Sequence, residues 1–260
     1  MKLAFSTLGC PEWSLKYAIG FAAENGFDAI EIRGIRDKLR VDTIEELLLE
    51  NREETITLAN NAGITFCCLD ASSSFHDKEK RSENMAEALD TVKLAAECGI
   101  PYVRVFGNHF VTDDEETEIA DIAAQLRSLC IKAKESGIGI LLEVHGDFNT
   151  SERILKTADY VNCENFGIIW DIAHSREDPE LFWNKTKHLI RHMHIKDSIQ
   201  SELCNTGEGT LPVAAIVRML KKDNYNGYLS LEWEKRWHPE LRDAAEEFPS
   251  YVKFMNEILK

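Results

Sequence analysis

Acidic and imidazole side chains follow four short apolar runs of this sequence. Glu143 lies in LLEVHG and Asp171 in IIWDIAH, while His194 lies in HMHIKD and Glu232 in LSLEWE. Three carboxylates and one imidazole suit Mn²⁺, Mg²⁺, Co²⁺ or Zn²⁺, and they suit copper(I) or an iron–sulfur cluster poorly. A fold that brings these runs side by side would therefore build a site for one divalent metal ion.

The histidines follow the same pattern. Only His188 is expected within a helix. The others lie at or just after the end of a β-like run: His76, His109, His145, His174, His192, His194 and His238. Glu31 and Asp70 occupy equivalent positions. A single carboxylate at a strand end more often caps a helix or faces solvent, and one of His192 and His194 can simply pack. The repetition at several strand ends favours a functional site.

Eight β-like runs alternate with amphipathic segments along the chain. The runs are KLAFST, DAIEIRG, ITFCCLD, YVRVFGN, GILLEVHG, FGIIWDIAH, IRHMHIKD and YLSLEWE. Strict alternation predicts a parallel sheet, because parallel neighbours need a crossover helix. Eight such units in 260 residues are typical of one (β/α)8 TIM barrel, in which the C-terminal strand ends carry the active site. We expect a single domain over residues 1–260.

Glycines and prolines agree with this division. The glycines expected to end helices are Gly26, Gly63, Gly99 and Gly137. The prolines expected to begin later helices are Pro179, Pro212 and Pro239. A doubly wound sheet would more often show fewer strands. The sequence also contains neither of the glycine-rich nucleotide-binding motifs, which disfavours nucleotide-binding folds.

The composition restricts the class of protein. Thirty basic against 45 acidic residues give a net charge of -15, which argues against a nucleic-acid partner. Seven cysteines without a CxxC pair indicate free thiols in a reducing compartment. No apolar segment is long enough for a signal peptide or a membrane span. We expect a soluble cytoplasmic protein with no membrane partner, and a homodimer is the prior for its assembly.

The sequence resembles the sugar phosphate isomerase/epimerase family, the xylose isomerase-like TIM barrels. The matching segments are NGFDAIEIRG, LLEVHGDF, WDIAHS, HMHIKDS, GEG at residues 207–209 and GYLSLEWE. The resemblance implies that the metal ligands are Glu143, Asp171, His194 and Glu232, with Mn²⁺ as the first expectation. It also implies that His174 meets substrate or orients a ligand, and that Arg236 and His238 lie near the mouth of the barrel, where we expect them to contact substrate. The other residues expected at the substrate are His145, Lys196, Glu31 and His109.

The expected chemistry is isomerisation or epimerisation of a ketose or ketose phosphate. Either reaction removes a proton from the carbon beside a carbonyl and passes through a cis-enediolate, which a metal ion stabilises. One carboxylate takes the proton and a second returns it. Glu143 and Glu232 are expected to form this acid/base pair. The sequence leaves open to which carbon the proton returns.

The segment NTGEGTLP, which follows the seventh run, is expected to open a helix at Thr210. Loops after the seventh and eighth strands of such barrels often bind phosphate through free N–H groups, although Gly207 and Gly209 can simply shape a turn. A phosphate on the substrate therefore stays open.

Three other functions stay open. An inosose-type dehydratase has the same scaffold and begins with the same proton removal. An abasic-site endonuclease-like metal hydrolase would need a further histidine soon after His194, and the segment HMHIKDSIQSELCNTGEG contains none. A non-catalytic sugar-binding barrel would need no paired acid and base, whereas this chain carries both Glu143 and Glu232.

Overall fold

The computed structural model describes all 260 residues. In chain order the strands are β1 (Lys2–Ser6), β2 (Ala29–Ile32), β3 (Thr65–Ser74), β4 (Tyr102–Phe106), β5 (Gly139–Glu143), β6 (Phe166–Asp171), β7 (Ile190–Ile195), β8 (Asp197–Ile199), β9 (Glu202–Cys204) and β10 (Tyr228–Leu231). The helices are α1 (Leu15–Glu24), α2 (Arg52–Asn61), α3 (Arg81–Cys98), α4 (Glu115–Lys134), α5 (Ser151–Val161), α6 (Pro179–Thr186), α7 (Val213–Lys222) and α8 (Ala244–Leu259).

Eight of the strands form a closed barrel in the order β1-β10-β7-β6-β5-β4-β3-β2. These are the eight runs that the sequence predicted, and each is followed by a helix before the next barrel strand. The strands β8 and β9 pair antiparallel in a small separate hairpin. The predicted fold class, a closed parallel (β/α)8 barrel, is confirmed.

Residue contacts divide the chain into two compact units. Unit 1 comprises Met1–Cys67 and His192–Lys260, and unit 2 comprises Cys68–Arg191. In unit 1, Phe5 packs against Phe27 and Phe248 in an aromatic core. In unit 2, Trp170 stacks on Phe182. The expectation of a single domain over residues 1–260 stays a prediction.

Helix ends agree with the sequence better than helix starts do. The four glycines expected to end helices all have positive φ, between 69° and 81°, where an L side chain is strained. Pro179 is the first residue of α6, and Pro212 immediately precedes α7.

Three other expectations about helices are wrong. Thr210 does not open a helix, because both its N–H and its hydroxyl donate to the Ser198 carbonyl, and α7 begins only at Val213. Pro239 lies in a turn, where its carbonyl accepts a hydrogen bond from Lys235. His188 lies beyond the end of α6 at Thr186.

The cysteines and the helices bear on two further expectations. All seven cysteines are free thiols, as their number and spacing predicted. No helix combines the length and the apolar composition needed to cross a membrane.

Candidate functional site

Glu31 in β2 is a fully buried carboxylate of unit 1 that holds two histidine rings. Its Oε2 lies 3.0 Å from Nε2 of His192, and its Oε1 lies 2.7 Å from Nε2 of His194. The register of β10 with β7 places Ser230 opposite His194, and the Ser230 hydroxyl donates to Oε2 at 2.5 Å. Burial alone would raise the pKa of Glu31, but His194 and His192 hold it well below its usual range.

His194 turns its second nitrogen toward Glu232. Its Nδ1 lies 3.4 Å from Oε1 of Glu232. Oε2 of Glu232 accepts a hydrogen bond from Lys196 at 2.6 Å, and Lys196 also donates to Glu234 at 2.6 Å.

In unit 2, Arg104 of β4 joins Asp70, in the middle of β3, to Glu143 at the end of β5. It is 1% exposed, with Nη2 at 3.3 Å from Oδ2 of Asp70 and Nε at 3.2 Å from Oε2 of Glu143. Its guanidinium lies 4.0 Å from the ring centroid of Phe106. Charge compensation of this kind is what allows carboxylates to stay buried. The sequence analysis missed Arg104, although a charged residue inside the apolar run YVRVF was a signal.

Asp171, at the end of β6 in unit 2, organises the turn that follows. Its Oδ1 accepts hydrogen bonds from the N–H groups of Ala173 at 2.8 Å and His174 at 3.3 Å. Its Oδ2 lies 2.7 Å from Nδ1 of His174. Because His174 follows Asp171 by three residues, its ring reaches back to the Asp171 carboxylate and is held there. Asp171 is fully buried and His174 is partly exposed.

A chain of hydrogen bonds continues from His145 along the strand ends of unit 2. The rings of His145 and His174 are 4.4 Å apart. Nδ1 of His145 lies 3.1 Å from Oδ1 of Asn108, whose Nδ2 donates to the Ser74 hydroxyl at 3.0 Å. That hydroxyl lies 2.7 Å from Nδ1 of His76. Sequence reasoning missed Asn108 and Ser74, because only the fold brings them beside the histidines.

Within each unit the structure brings some of the predicted site residues together. In unit 1 the connected residues are Glu31, His194, Lys196 and Glu232. In unit 2, His174 contacts both Asp171 and the ring of His145. Glu143 forms an ion pair with Arg104. His109, with its side chain 68% exposed, lies 3.5 Å from Asp147. His238 is 49% exposed beside Glu240, and Arg236 donates to the Arg36 carbonyl. The substrate roles of these residues stay predictions.

The loop at residues 205–211 does not offer the free N–H groups that a phosphate would need. Asp197, 1% exposed, accepts hydrogen bonds from the N–H groups of Gly207, Gly209 and Leu211 at 2.9–3.1 Å. The remaining N–H groups of residues 206–211 donate to Glu247, Asn205 and Ser198. These contacts fit the alternative in which Gly207 and Gly209 shape a turn, because the protein's own carboxylate accepts the hydrogen bonds of the loop.

Comparison with known families identifies the class of protein. The model of the xylose isomerase-like TIM barrel family matches residues 19–256. The chain therefore belongs to this family. A sequence comparison with curated proteins found no match.

Solved structures share the fold at low sequence identity. The probable 3-DHS dehydratase AsbF from Bacillus anthracis is 18% identical, with a TM-score of 0.84 over 98% of this chain and 99% of that one. The IOLI protein with a bound zinc atom is 20% identical, with a TM-score of 0.81 over 100% and 98%. D-psicose 3-epimerase from Clostridium cellulolyticum H10, in complex with D-tagatose, is 18% identical, with a TM-score of 0.79 over 100% of both chains.

Buried acidic and imidazole side chains of this chain form groups that could hold a metal ion. One of these groups, Glu31 with His192 and His194, lies within unit 1. The oxygens of Glu31 already accept hydrogen bonds from both rings and from Ser230. Within this group, Glu31 is therefore better suited to orient a histidine ligand than to bind the ion.

Proposed function

We propose that this protein is a divalent-metal-dependent isomerase or epimerase that acts on a ketose by proton transfer. The observation that carries the proposal is the environment of two glutamates. Glu143 and Glu232 are both buried at strand ends, and each lies against a buried basic side chain, Arg104 and Lys196 respectively. Two carboxylates held in this way suit a reaction that needs one base and one acid.

The proposed metal ligands are Glu143, Asp171, His194 and Glu232. They come from β5, β6 and β7 and from the residue after β10, which are consecutive in the barrel order. All four are buried, and the donor set of oxygen with one nitrogen suits Mn²⁺, Mg²⁺, Co²⁺ or Zn²⁺. A divalent cation there would supply the positive charge that stabilises an enediolate.

The chain's own residues would then move the proton and hold the sugar. One of Glu143 and Glu232 takes the proton from the carbon beside the carbonyl, and the other returns it. Arg104 and Lys196 fix the positions of these two carboxylates. His174, anchored on Asp171, presents its ring to the substrate hydroxyls. We assign Glu31 to the orientation of His194 rather than to contact with substrate, because its oxygens already hold His192, His194 and Ser230.

The filled loop at residues 205–211 favours a sugar without a phosphate at this position. Asp197 and Glu247 both direct carboxylate oxygens at its N–H groups. A phosphate brought to the same loop would meet negative charge instead of hydrogen-bond donors. We therefore place free ketoses ahead of ketose phosphates as substrates.

A dehydratase is the second candidate function. The similarity to the probable 3-DHS dehydratase AsbF favours it. Proton removal beside a carbonyl is shared by both reactions. In the dehydratase the electron pair left on carbon expels the hydroxyl of the neighbouring carbon, which takes a proton from the acid and leaves as water, so that the carbon itself takes no proton back.

The test is solvent-proton exchange, monitored by NMR. Metal-stripped protein is incubated with each divalent ion and a panel of ketoses, ketose phosphates and keto-polyols in deuterated water. We expect deuterium at the carbon beside the carbonyl, lost with a chelator and regained with metal. A dehydratase would instead form an unsaturated product with the loss of water.

The acid/base assignment is tested with two variants. Glu143→Gln and Glu232→Gln should each slow exchange by about 10²–10⁴-fold, whereas the exposed Glu202→Gln should not. If both variants bind metal and exchange at the original rate, the assignment is wrong.

A further inference from the structure

Two cysteines of unit 2 lie side by side on the outer layer of the fold. Cys130 is in α4, and Cys163 is in the segment of residues 162–165 between α5 and β6. Burial, together with the neighbouring Cys163 thiol, raises the pKa of Cys130. Cys130 is 0% exposed, while Cys163 is partly exposed.

Contacts on both sides of this pair hold the segment against α4. Arg127 donates to the carbonyl of Val161 at 2.7 Å, and Lys134 contacts the Glu164 carboxylate at 2.9 Å. Between them, Asn165 donates to the carbonyl of residue 130 at 2.9 Å. Positions 127, 130 and 134 share one face of a helix. The flanking contacts therefore keep residue 163 over residue 130.

Among the other cysteines, none combines an accessible sulfur with this placement. Cys204 is the only other one that is not buried. Burial raises its pKa, and the nearby carboxylates of Asp197, Glu208 and Glu247 raise it further, so it is a weak nucleophile. Cys67 and Cys68 are adjacent in β3 and pack into different clusters, since successive strand residues point to opposite faces.

We propose that Cys130 and Cys163 are a redox-sensitive pair that a peroxide converts to a disulfide. The Cys163 sulfur attacks one peroxide oxygen, so that an S–O bond forms, the O–O bond breaks and water leaves. The resulting sulfenic acid is then attacked by the Cys130 sulfur. An S–S bond forms, the S–O bond breaks, and the departing hydroxide takes the Cys130 proton as a second water. Two thiols and one hydrogen peroxide give one disulfide and two waters.

The exposure of the two thiols matches the order of these two oxidation steps. The accessible Cys163 meets the oxidant first, and the buried Cys130 resolves the sulfenic acid before further oxidation. Asn162 and Glu164, on either side of Cys163, are exposed. An S–S bond of about 2.05 Å requires residue 163 to shift toward α4. The bridge would close the chain between residues 130 and 163 and stabilise the folded state against unfolding.

The experiment treats the reduced protein with hydrogen peroxide, removes the excess, unfolds the protein in the presence of N-ethylmaleimide and digests it without reductant. We expect a linked peptide pair containing Cys130 and Cys163, reversed by dithiothreitol. Blocked thiols per unfolded chain should fall from seven to five. The unfolding temperature should rise on oxidation. These readouts need neither metal nor substrate, so they stay informative if the proposed enzymatic function fails.

Two variants separate the steps. Cys163→Ser should abolish the linked peptide, whereas Cys130→Ser should leave a sulfenic acid on Cys163 that dimedone traps. Cys204→Ser is the matched control and should form the bridge as the parent protein does. The proposal is overturned if Cys163 passes to sulfinic or sulfonic acid in the parent protein, or if all seven thiols stay reduced. A bridge to any cysteine other than Cys130 would overturn it as well.

Discussion

Both oxygens of Glu31 accept hydrogen bonds from buried side chains of unit 1, namely His192, His194 and Ser230. Removing its charge would loosen two imidazoles at once, His192 and His194. Carboxylates in this position set the tautomer and the direction of a histidine ligand. The sequence predicted that Glu31 lies at a strand end. Only its contacts in the structure distinguish a residue that orients a histidine from one that binds substrate.

We therefore expect Glu31→Gln to weaken Mn²⁺ or Zn²⁺ binding by about 10–100-fold, measured by calorimetry on metal-stripped protein. Glu234→Gln is the matched control, since Glu234 contacts Lys196, and it should change the affinity much less. Equal affinities of Glu31→Gln and the parent protein would contradict the orienting role.

Glu247 in α8 is also a buried carboxylate. Unlike Glu31, it was not among the residues that the sequence patterns singled out. Burial raises its pKa to about 7 from a usual value of 4.5. Its Oε1 accepts from Thr206 at 3.3 Å, while its Oε2 has no hydrogen-bond partner. The folded state thus favours the protonated form. The stability associated with that proton is fully present below pH 4.5 and is lost as the pH rises through about 7.

Glu247→Gln, which mimics the protonated form, should therefore be more stable than the parent protein at pH 8, by about 2 kcal/mol. The difference should shrink toward zero near pH 4.5. Chemical unfolding at several pH values measures it, with the exposed Glu246→Gln as control. A difference that does not vary between pH 5 and pH 8 would argue against the raised pKa.

At the scale of elements, the eight strands were predictable because each is a short apolar run bounded by turn residues. The loop after β7 was not. Its glycines are compatible with an anion site. The carboxylate of Asp197 occupies that position, where it accepts hydrogen bonds from the N–H groups of Gly207, Gly209 and Leu211. Sequence spacing cannot tell which acceptor a loop N–H group finds, since a resident carboxylate and a bound phosphate need the same donors.

Gly209 tests this packing. A methyl group there would collide with the Asp197 carboxylate and with the Ser198 nitrogen, so Gly209→Ala should destabilise the fold by about 1–3 kcal/mol. Gly20 in α1 is the control, because a methyl group there meets nothing within 4 Å. Gly20→Ala should stabilise by about 0.5–1 kcal/mol. Denaturant unfolding measures both, and a neutral Gly209→Ala would contradict the close approach of Asp197.

At the scale of the whole molecule, the net charge of -15 makes like-charge repulsion among side chains a cost to the folded state. A bound cation offsets part of this repulsion, and any ion that binds only the folded state stabilises it by mass action. The proposed site therefore predicts a stability that depends on the concentration of divalent ion.

At a metal concentration about 100 times Kd, the unfolding temperature should rise by about 5–10 °C over that of metal-stripped protein. Scanning calorimetry with and without a chelator measures the shift. Asp171→Asn keeps an oxygen for the turn but loses the charge, so its shift should be much smaller. The same shift in both proteins would place the ion elsewhere.

The sequence by itself determined the order of strands and helices, the closed barrel and the presence of acidic and imidazole groups at strand ends. These features follow from local periodicity and from the fixed direction of parallel strands. Only the tertiary structure decided the partners: Glu31 with Ser230, 199 residues away, Arg104 between Asp70 and Glu143, and Asp197 inside its loop. A hydrogen bond depends on a few ångströms between side chains, and that distance is set by packing across the fold rather than by spacing along the chain.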